Sequence, residues 1–455
     1  MGILIGDPAS PTLWILYISD FALRPHPDDV FLAQRRVSHF ELADDMAMIS
    51  LSHWGMQSKL QQFEDYCSVN FLLANVLKTL ASVHGPLPLT LPALLLYGTP
   101  LRYVETATLV GITLTSSAHD IFSVHTTQKA AVASRVSNAC FSLEAYGPVC
   151  DLERVQHTYL RRSVNISSHC QLSSLFSETG IWPIRYRRLH LALRYLQYIL
   201  RDRPPLPYAA FCEQWQLASH GGHPSWWGDL HAVAAALPVP VHIPLDVMPT
   251  LDTVSQALDD LRESLAQHLY IELMRSLRLP VLQHRLQRDL QLRPSSLLEH
   301  VCSFRDYLQL PSKSQRDAMA LLLFSEHPLA VERLRRVRPA IDRSWRVCRF
   351  CREPWAIEDE VHTLLQCSAP ILCDLRDQFF AAAQTLHAGL RKLYFRLSGA
   401  AFLDVVLRSS EVLPLFAHFV ARVFALCDEL PQLLLRSEDE LLALAVPHRA
   451  ALGNA

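Results

Sequence analysis

Val37-Ser38-His39-Phe40-Glu41-Leu42-Ala43-Asp44-Asp45-Met46-Ala47-Met48-Ile49-Ser50-Leu51 is the stretch on which the fold turns. Residues 37–42 and 46–51 are short runs rich in β-compatible side chains, and Asp44-Asp45 between them suits a tight turn. The segment therefore predicts two strands joined by that turn. Working outward, Leu60, Phe63, Cys67 and Phe71 recur at helical spacing across 57–71. Residues 94–97 and 101–104 flank Gly98-Thr99-Pro100 as a hairpin, and 109–114 reads as one further strand. On the other side, Asp7-Pro8 ahead of Thr12-Leu13-Trp14-Ile15-Leu16-Tyr17-Ile18 predicts a helix with an Asp cap and Pro in its first turn.

Beyond Ser116 the pattern turns almost wholly helical, over 126–143, 152–164 and 184–200. Arg201-Asp202-Arg203-Pro204-Pro205-Leu206-Pro207 reads as a linker, and 215–249, rich in Trp, His and Pro, as irregular chain. Val254, Leu258, Leu261, Leu265, Leu269 and Leu273 mark a long amphipathic helix, whose stripe fits core packing better than a dimer zipper. Further helices are expected over 314–324, 329–337 and 378–435. The fold class is α+β, predominantly helical. Five consecutive segments follow: 1–115, 116–203, 204–340, 341–370 and 371–455.

Of the 455 residues, 50% are hydrophobic and 19% charged, enough apolar material to exclude wholesale disorder. No apolar run approaches the roughly 18–20 residues of a membrane span, and Met1-Gly2-Ile3-Leu4-Ile5-Gly6 resembles neither a secretion signal nor a myristoylation motif. An intracellular protein of nucleus or cytoplasm, neither secreted nor membrane-bound, is expected. The net charge of −2 excludes a strongly basic coat and an acidic solvating chain alike. Arg supplies 37 of the 42 cations, which suits phosphate recognition, although base composition of the gene is the better explanation. Eleven scattered cysteines argue for a reducing compartment.

Three features of the first 80 residues gain weight from their order: Gly6-Asp7-Pro8-Ala9-Ser10-Pro11, Ala43-Asp44-Asp45, and Asn75-Val76-Leu77-Lys78-Thr79. Singly they fit a helix cap, a solvated turn and a surface lysine. Together they fit two-metal phosphoryl transfer, with carboxylates on rigid strand ends for Mg²⁺ and a cation beside the leaving group. In that order they resemble the reverse transcriptases of non-LTR (LINE-like) retrotransposons of the fungal type. Gly6 to Pro11, with Tyr17 and Asp20, matches motif B, Ala43-Asp44-Asp45 motif C, and Tyr66-Cys67 with Asn75 and Lys78-Thr79 motif D. Leu96-Tyr97-Gly98 to Gly111 resembles the primer grip, and the helices within 126–200, including Gln156 to Arg162, the thumb.

The resemblance implies a partial polymerase palm followed by a helical thumb-like region. It implies Asp44 as the Mg²⁺ ligand with Asp45 as its partner, Lys78 as an acid, and Gly6, Asp7 and Ser10 handling template and nucleotide. The partners implied are an RNA template with a DNA primer, or their hybrid. The matched motifs start at B, so a fragment is expected, inactive alone for want of the motif A aspartate and the fingers.

A second signal is Cys348-x2-Cys351-x10-His362-x4-Cys367. Two thiolates at one corner and a His and a Cys from a following helix make a closed, structural Zn²⁺ shell; a redox Cys-x-x-Cys is the competitor. Glu358-Asp359-Glu360 is expected to start that helix in favour of its dipole. Many LINE-like reverse transcriptases carry a similar C-terminal knuckle. Eight arginines between Arg333 and Arg352 crowd its approach, with Arg335, Arg336 and Arg338 the candidates for nucleic-acid contact; a solvated helix face explains them nearly as well. The alternative to a polymerase fragment is a zinc-stabilised helical module that binds nucleic acid or protein without catalysis.

Overall fold

In the computed structural model, residues 10–42, 45–86, 90–118, 121–125, 127–129, 148–221, 225–292 and 296–444 are described. The chain divides into two compact units, one of residues 1–155, 189–236 and 242–257 and the other of 156–188, 237–241 and 258–455. Both are discontinuous, so the consecutive segments read from the sequence do not coincide with them.

The first unit holds the strands, all in two-stranded pairs among the described residues. β1 (Val30–Leu32) and β2 (Arg35–Val37) form a hairpin through Ala33 and Gln34, both at positive φ. β3 (His39–Leu42) and β4 (Asp45–Met48) form the antiparallel pair expected, with Leu42 opposite Asp45. β5 (Leu80–Ala81) lies parallel to β8 (Arg102–Tyr103), and β6 (Leu95–Leu96) pairs with β7 (Thr99–Pro100) across Tyr97-Gly98. The single strand expected at 109–114 is instead a hairpin, β9 (Thr106–Leu109) with β10 (Ile112–Thr115). Val110 and Gly111 both take positive φ, the conformation of a two-residue turn whose twist matches paired strands.

Helix Ser10–Ile18 leads into a small core of Ile18, Phe21 and Leu23, against which Met46, Met48, Phe63 and Tyr66 pack. Phe63 and Tyr66 lie on helix His53–Val69, capped by the Ser52 hydroxyl accepting from the Gly55 N–H. Beneath that helix a buried ion cluster joins Lys59 to Asp29 at 2.6 Å and Arg36 to Asp29 at 3.2 Å. Lys59 Nζ also donates to the Ile49 carbonyl, so hairpin, helix and preceding loop are tied together.

The expected linker at 201–207 is only a two-residue break, between helices Ile184–Asp202 and Pro205–Gly221. Pro205 starts a helix rather than ending one because the first turn needs no N–H from it. The expected irregular stretch is irregular only in its second half: helix Trp226–Ala235 precedes it, with Trp227 buried. The expected helix over 126–143 lies largely outside the described residues. All six apolar positions of the long stripe are buried in helix Leu251–Arg275, so the stripe is core and not a dimer seam. The 378–435 stretch resolves into helices Pro370–Ala383, Leu390–Arg396, Gly399–Arg408 and Leu413–Glu429. No helix among the described residues is long and apolar enough to cross a membrane.

Candidate metal centre and basic surface

Gly6, Asp7 and Asp44 lie outside the described residues. Ser10 is the first residue of its helix, and Asp45 is exposed at the start of β4. Lys78 is exposed on a turn whose backbone N–H reaches the Asn75 carbonyl at 3.1 Å. Among the described residues neither Asp45 nor Lys78 has an ion-pair partner. Tyr66 and Asp20 do meet, the Tyr66 hydroxyl donating to the Asp20 carboxylate at 2.7 Å. Burial first, and the Asp20 carboxylate second, push the Tyr66 phenol well above its ordinary range, so it acts as a donor.

The knuckle is built by short backbone ties. Val347 and Ile357 form an antiparallel bridge, and the Cys348 N–H donates to the Ala356 carbonyl at 2.8 Å. The Arg352 N–H closes the turn back to the Cys348 carbonyl at 3.0 Å. His362 and Cys367 come from a single wide turn, in which the Cys367 N–H donates to the His362 carbonyl at 2.7 Å. This five-residue spacing replaces the regular helix expected, adding a residue to the turn between the two ligands. The acidic triplet also behaves otherwise than expected. Asp359 caps the turn by accepting from the His362 N–H at 2.9 Å, whereas Glu358 and Glu360 are buried and paired elsewhere.

The four ligand atoms lie within 4.8 Å of one another. Cys348 Sγ and Cys367 Sγ are 3.8 Å apart, and Cys351 Sγ is 3.5 Å from His362 Nε2. A tetrahedral ion with bonds of ~2.3 Å to sulfur and ~2.0–2.1 Å to nitrogen requires separations of ~3.8 Å and ~3.5 Å. Cys348, Cys351, His362 and Cys367 could therefore hold a zinc ion with no ligand needing to move far. Cys373 stands outside the group, its thiol reaching only the Cys367 carbonyl at 3.6 Å. Hydrogen bonds from Cys348 and Cys367 hold the Cys351 thiol far below its ordinary value, and the bond to Cys351 pushes Cys348 far above. Burial works against charging His362, yet its bonds to Cys351 and Cys367 push it up to about 10.

Glu358 and Arg349 were not legible as a unit, and they anchor the centre. Arg349 binds both oxygens of Glu358, at 2.7 Å through Nη2 and 3.0 Å through Nε. Its Nη1 donates to the carbonyls of Cys427 at 2.7 Å and Leu430 at 2.9 Å, and its Nη2 to that of Pro328 at 2.8 Å. The knuckle is thereby bound to the end of helix Leu413–Glu429. Arg349 is thus withdrawn from the basic surface. Arg346 is too, since it caps the Val331 and Ile341 carbonyls.

The three arginines expected to meet nucleic acid divide. Arg335 pairs with Glu332 at 2.9 Å and Arg336 with Glu326 at 2.9 Å, so two of the three already neutralise buried carboxylates. Arg338 is exposed and has no ion pair among the described residues. No family model matches the sequence, and no curated protein and no solved structure is significantly similar to it.

Proposed function

We propose that this chain is related to the RNA-directed DNA polymerases of non-LTR retrotransposons, is braced by a structural zinc ion, and binds nucleic acid without extending a primer by itself. The observation that carries the reading is the antiparallel pairing of β3 with β4, in register Leu42 with Asp45, on the strands that flank the matched aspartates. Rigid strand ends are what an aspartate pair for Mg²⁺ needs. In this reading Asp44 is the ligand and Asp45 its partner. Lys78 serves the departing pyrophosphate, and Gly6, Asp7 and Ser10 serve template and nucleotide. The link from Tyr66 to Asp20 supports it by joining two of the matched motifs. The ligand separations support Cys348, Cys351, His362 and Cys367 as a zinc shell that is closed, hence structural.

The test is primer extension by these 455 residues on poly-rA/oligo-dT with Mg²⁺ or Mn²⁺, beside a binding titration of the same hybrid. Binding without extension is expected. Extension that disappears in Asp44→Ala would overturn the inactivity, and failure to bind the hybrid would overturn the polymerase reading. The exposure of Asp45 and Lys78 without ion pairs favours a second reading, a zinc-stabilised helical binding module whose strands are only scaffold. Under it, Asp44→Ala and Lys78→Ala leave hybrid affinity unchanged while zinc removal lowers it.

A further inference from the structure

In the second unit a cleft of about 280 Å³ is lined by the end of helix Pro148–Ser163, the start of helix Lys313–Leu323 and the segment around Phe304. Two aromatic rings line it while remaining open to solvent, Tyr159 at 62% and Phe304 at 56% exposure. Phe304 is not a casual surface ring. It bridges Thr179 in antiparallel fashion, and its neighbours Ser303 and Arg305 donate their N–H groups to the Ser177 and Glu178 carbonyls, each at 3.2 Å. The Arg305 guanidinium also reaches the fully buried Glu178 carboxylate at 3.4 Å, which Arg285 holds from another side. Gly180 admits the approach: it sits at φ +66°, and a Cβ there would meet the Phe304 nitrogen at 2.6 Å. A buried ion cluster therefore fixes the backbone that presents an exposed ring.

The charge lining the cleft is positive. Arg162, Lys313 and Arg316 contribute cations, and Arg316 is held in place by donating to the Pro311 carbonyl at 2.9 Å. The single carboxylate, Asp317, is already engaged by Lys313 at 3.3 Å and by the Asn165 amide at 2.9 Å. Exposed aromatic faces beside cations suit a ligand with a π surface and a negative charge, as a nucleotide has. The volume lies just below the roughly 300–1,000 Å³ of small-ligand sites, room for one nucleotide and not for a duplex. A base within a duplex is stacked and hidden, so the nucleotide must be unpaired.

We propose that this cleft binds one unpaired nucleotide of a single-stranded nucleic acid, its base against Phe304 and Tyr159 and its phosphate beside Lys313, Arg316 and Arg162. The site needs neither the aspartate pair nor the zinc ion, and so goes beyond the function proposed above. The experiment is fluorescence anisotropy of the full chain with a labelled oligo-dT of about 12 nucleotides, a length typical of such sites, and with the same strand in a blunt duplex. Tighter binding of the single strand is expected. Phe304→Ala and Tyr159→Ala should each weaken it about 5- to 100-fold with the salt dependence unchanged, and Phe304→Trp should retain it. Lys313→Gln should flatten the log–log salt slope by about 0.7. Tyr159→Ala, on an exposed helix position, guards against a folding defect in Phe304→Ala. Equal affinity for the duplex, or parent-like binding by both alanine variants, would overturn the proposal. Primer extension and hybrid binding test the polymerase reading, and single-strand binding by the Phe304 and Tyr159 variants tests the cleft, so the failure of either is read separately.

Discussion

Glu358→Gln removes one charge from a pair whose side chains are 1% and 3% exposed. The carboxylate accepts from the Ala330 N–H at 2.8 Å, from the Arg349 N–H at 2.8 Å, and from the Arg349 guanidinium through both oxygens. Every donor points at an oxygen, so the new amide must turn its own N–H groups toward one of them. Breaking one partner of a buried pair costs about 3–5 kcal/mol, because the surviving charge stays desolvated. With a denaturant slope of roughly 3 kcal/mol/M or less, the urea midpoint of the unit holding the knuckle should fall by at least about 1 M. The assay is a urea titration followed by far-UV circular dichroism and by tryptophan fluorescence. Replacing both partners by leucine should not restore the midpoint, since the Cys427 and Leu430 carbonyls then lose the Arg349 donor at about 1–3 kcal/mol for each that stays buried, while Pro328 keeps the Gln432 amide. A loss under about 1 kcal/mol for Glu358→Gln would refute the reasoning, because the pair would then be behaving as a solvated surface bridge.

Two further outcomes follow from the buried cluster around Glu178. Gly180→Ala should destabilise the fold by more than the ~1–2 kcal/mol that the left-handed conformation alone costs an L-residue, because its Cβ would meet the Phe304 nitrogen at 2.6 Å; a thermal melt within a degree of the parent would contradict this. Glu178 is buried, which by itself raises a carboxyl, but Arg285 and Arg305 hold it below the ordinary value. A depressed folded-state pKa gives stability that is present above the unfolded value of ~4.3 and is lost as pH falls through the folded one. Melting temperatures taken from pH 7 down to pH 3 should therefore drop less steeply in Glu178→Gln, from a lower start, and parallel curves would contradict the assignment.

What was legible in the sequence is what local chemistry decides. The knuckle could be read because its four ligands lie close along the chain at spacings that suit a common centre, and their ligand atoms do lie together. The leucine stripe of helix Leu251–Arg275 and the β3–β4 pair could be read from periodicity. The turn at Ala33-Gln34 could not, since it carries neither Gly nor Asn to announce its positive φ. Val110 concealed the β9–β10 turn in the same way, a branched residue sitting where a strand was expected. Long-range partnerships were hidden too. Glu358 reads locally as a helix-dipole charge although Arg349 is clamped on it, and nothing local to Phe304 signals that Thr179 holds its backbone. Arginines likewise announce charge but not whether a carboxylate such as Glu332 or Glu326 already holds it.

The zinc centre braces the C-terminal helices in this reading, and metal content of the purified full chain tests it. The parent protein should carry about one zinc per chain, as a closed four-ligand shell requires. Cys373→Ser should keep that zinc, because its thiol touches only the Cys367 carbonyl. Cys367→Ser should lose it and loosen helix Pro370–Ala383, which follows directly on the ligand, since a structural metal contributes folding energy outright. Zinc retained by Cys367→Ser and lost by Cys373→Ser, or none in the parent protein purified without chelator, would contradict the account.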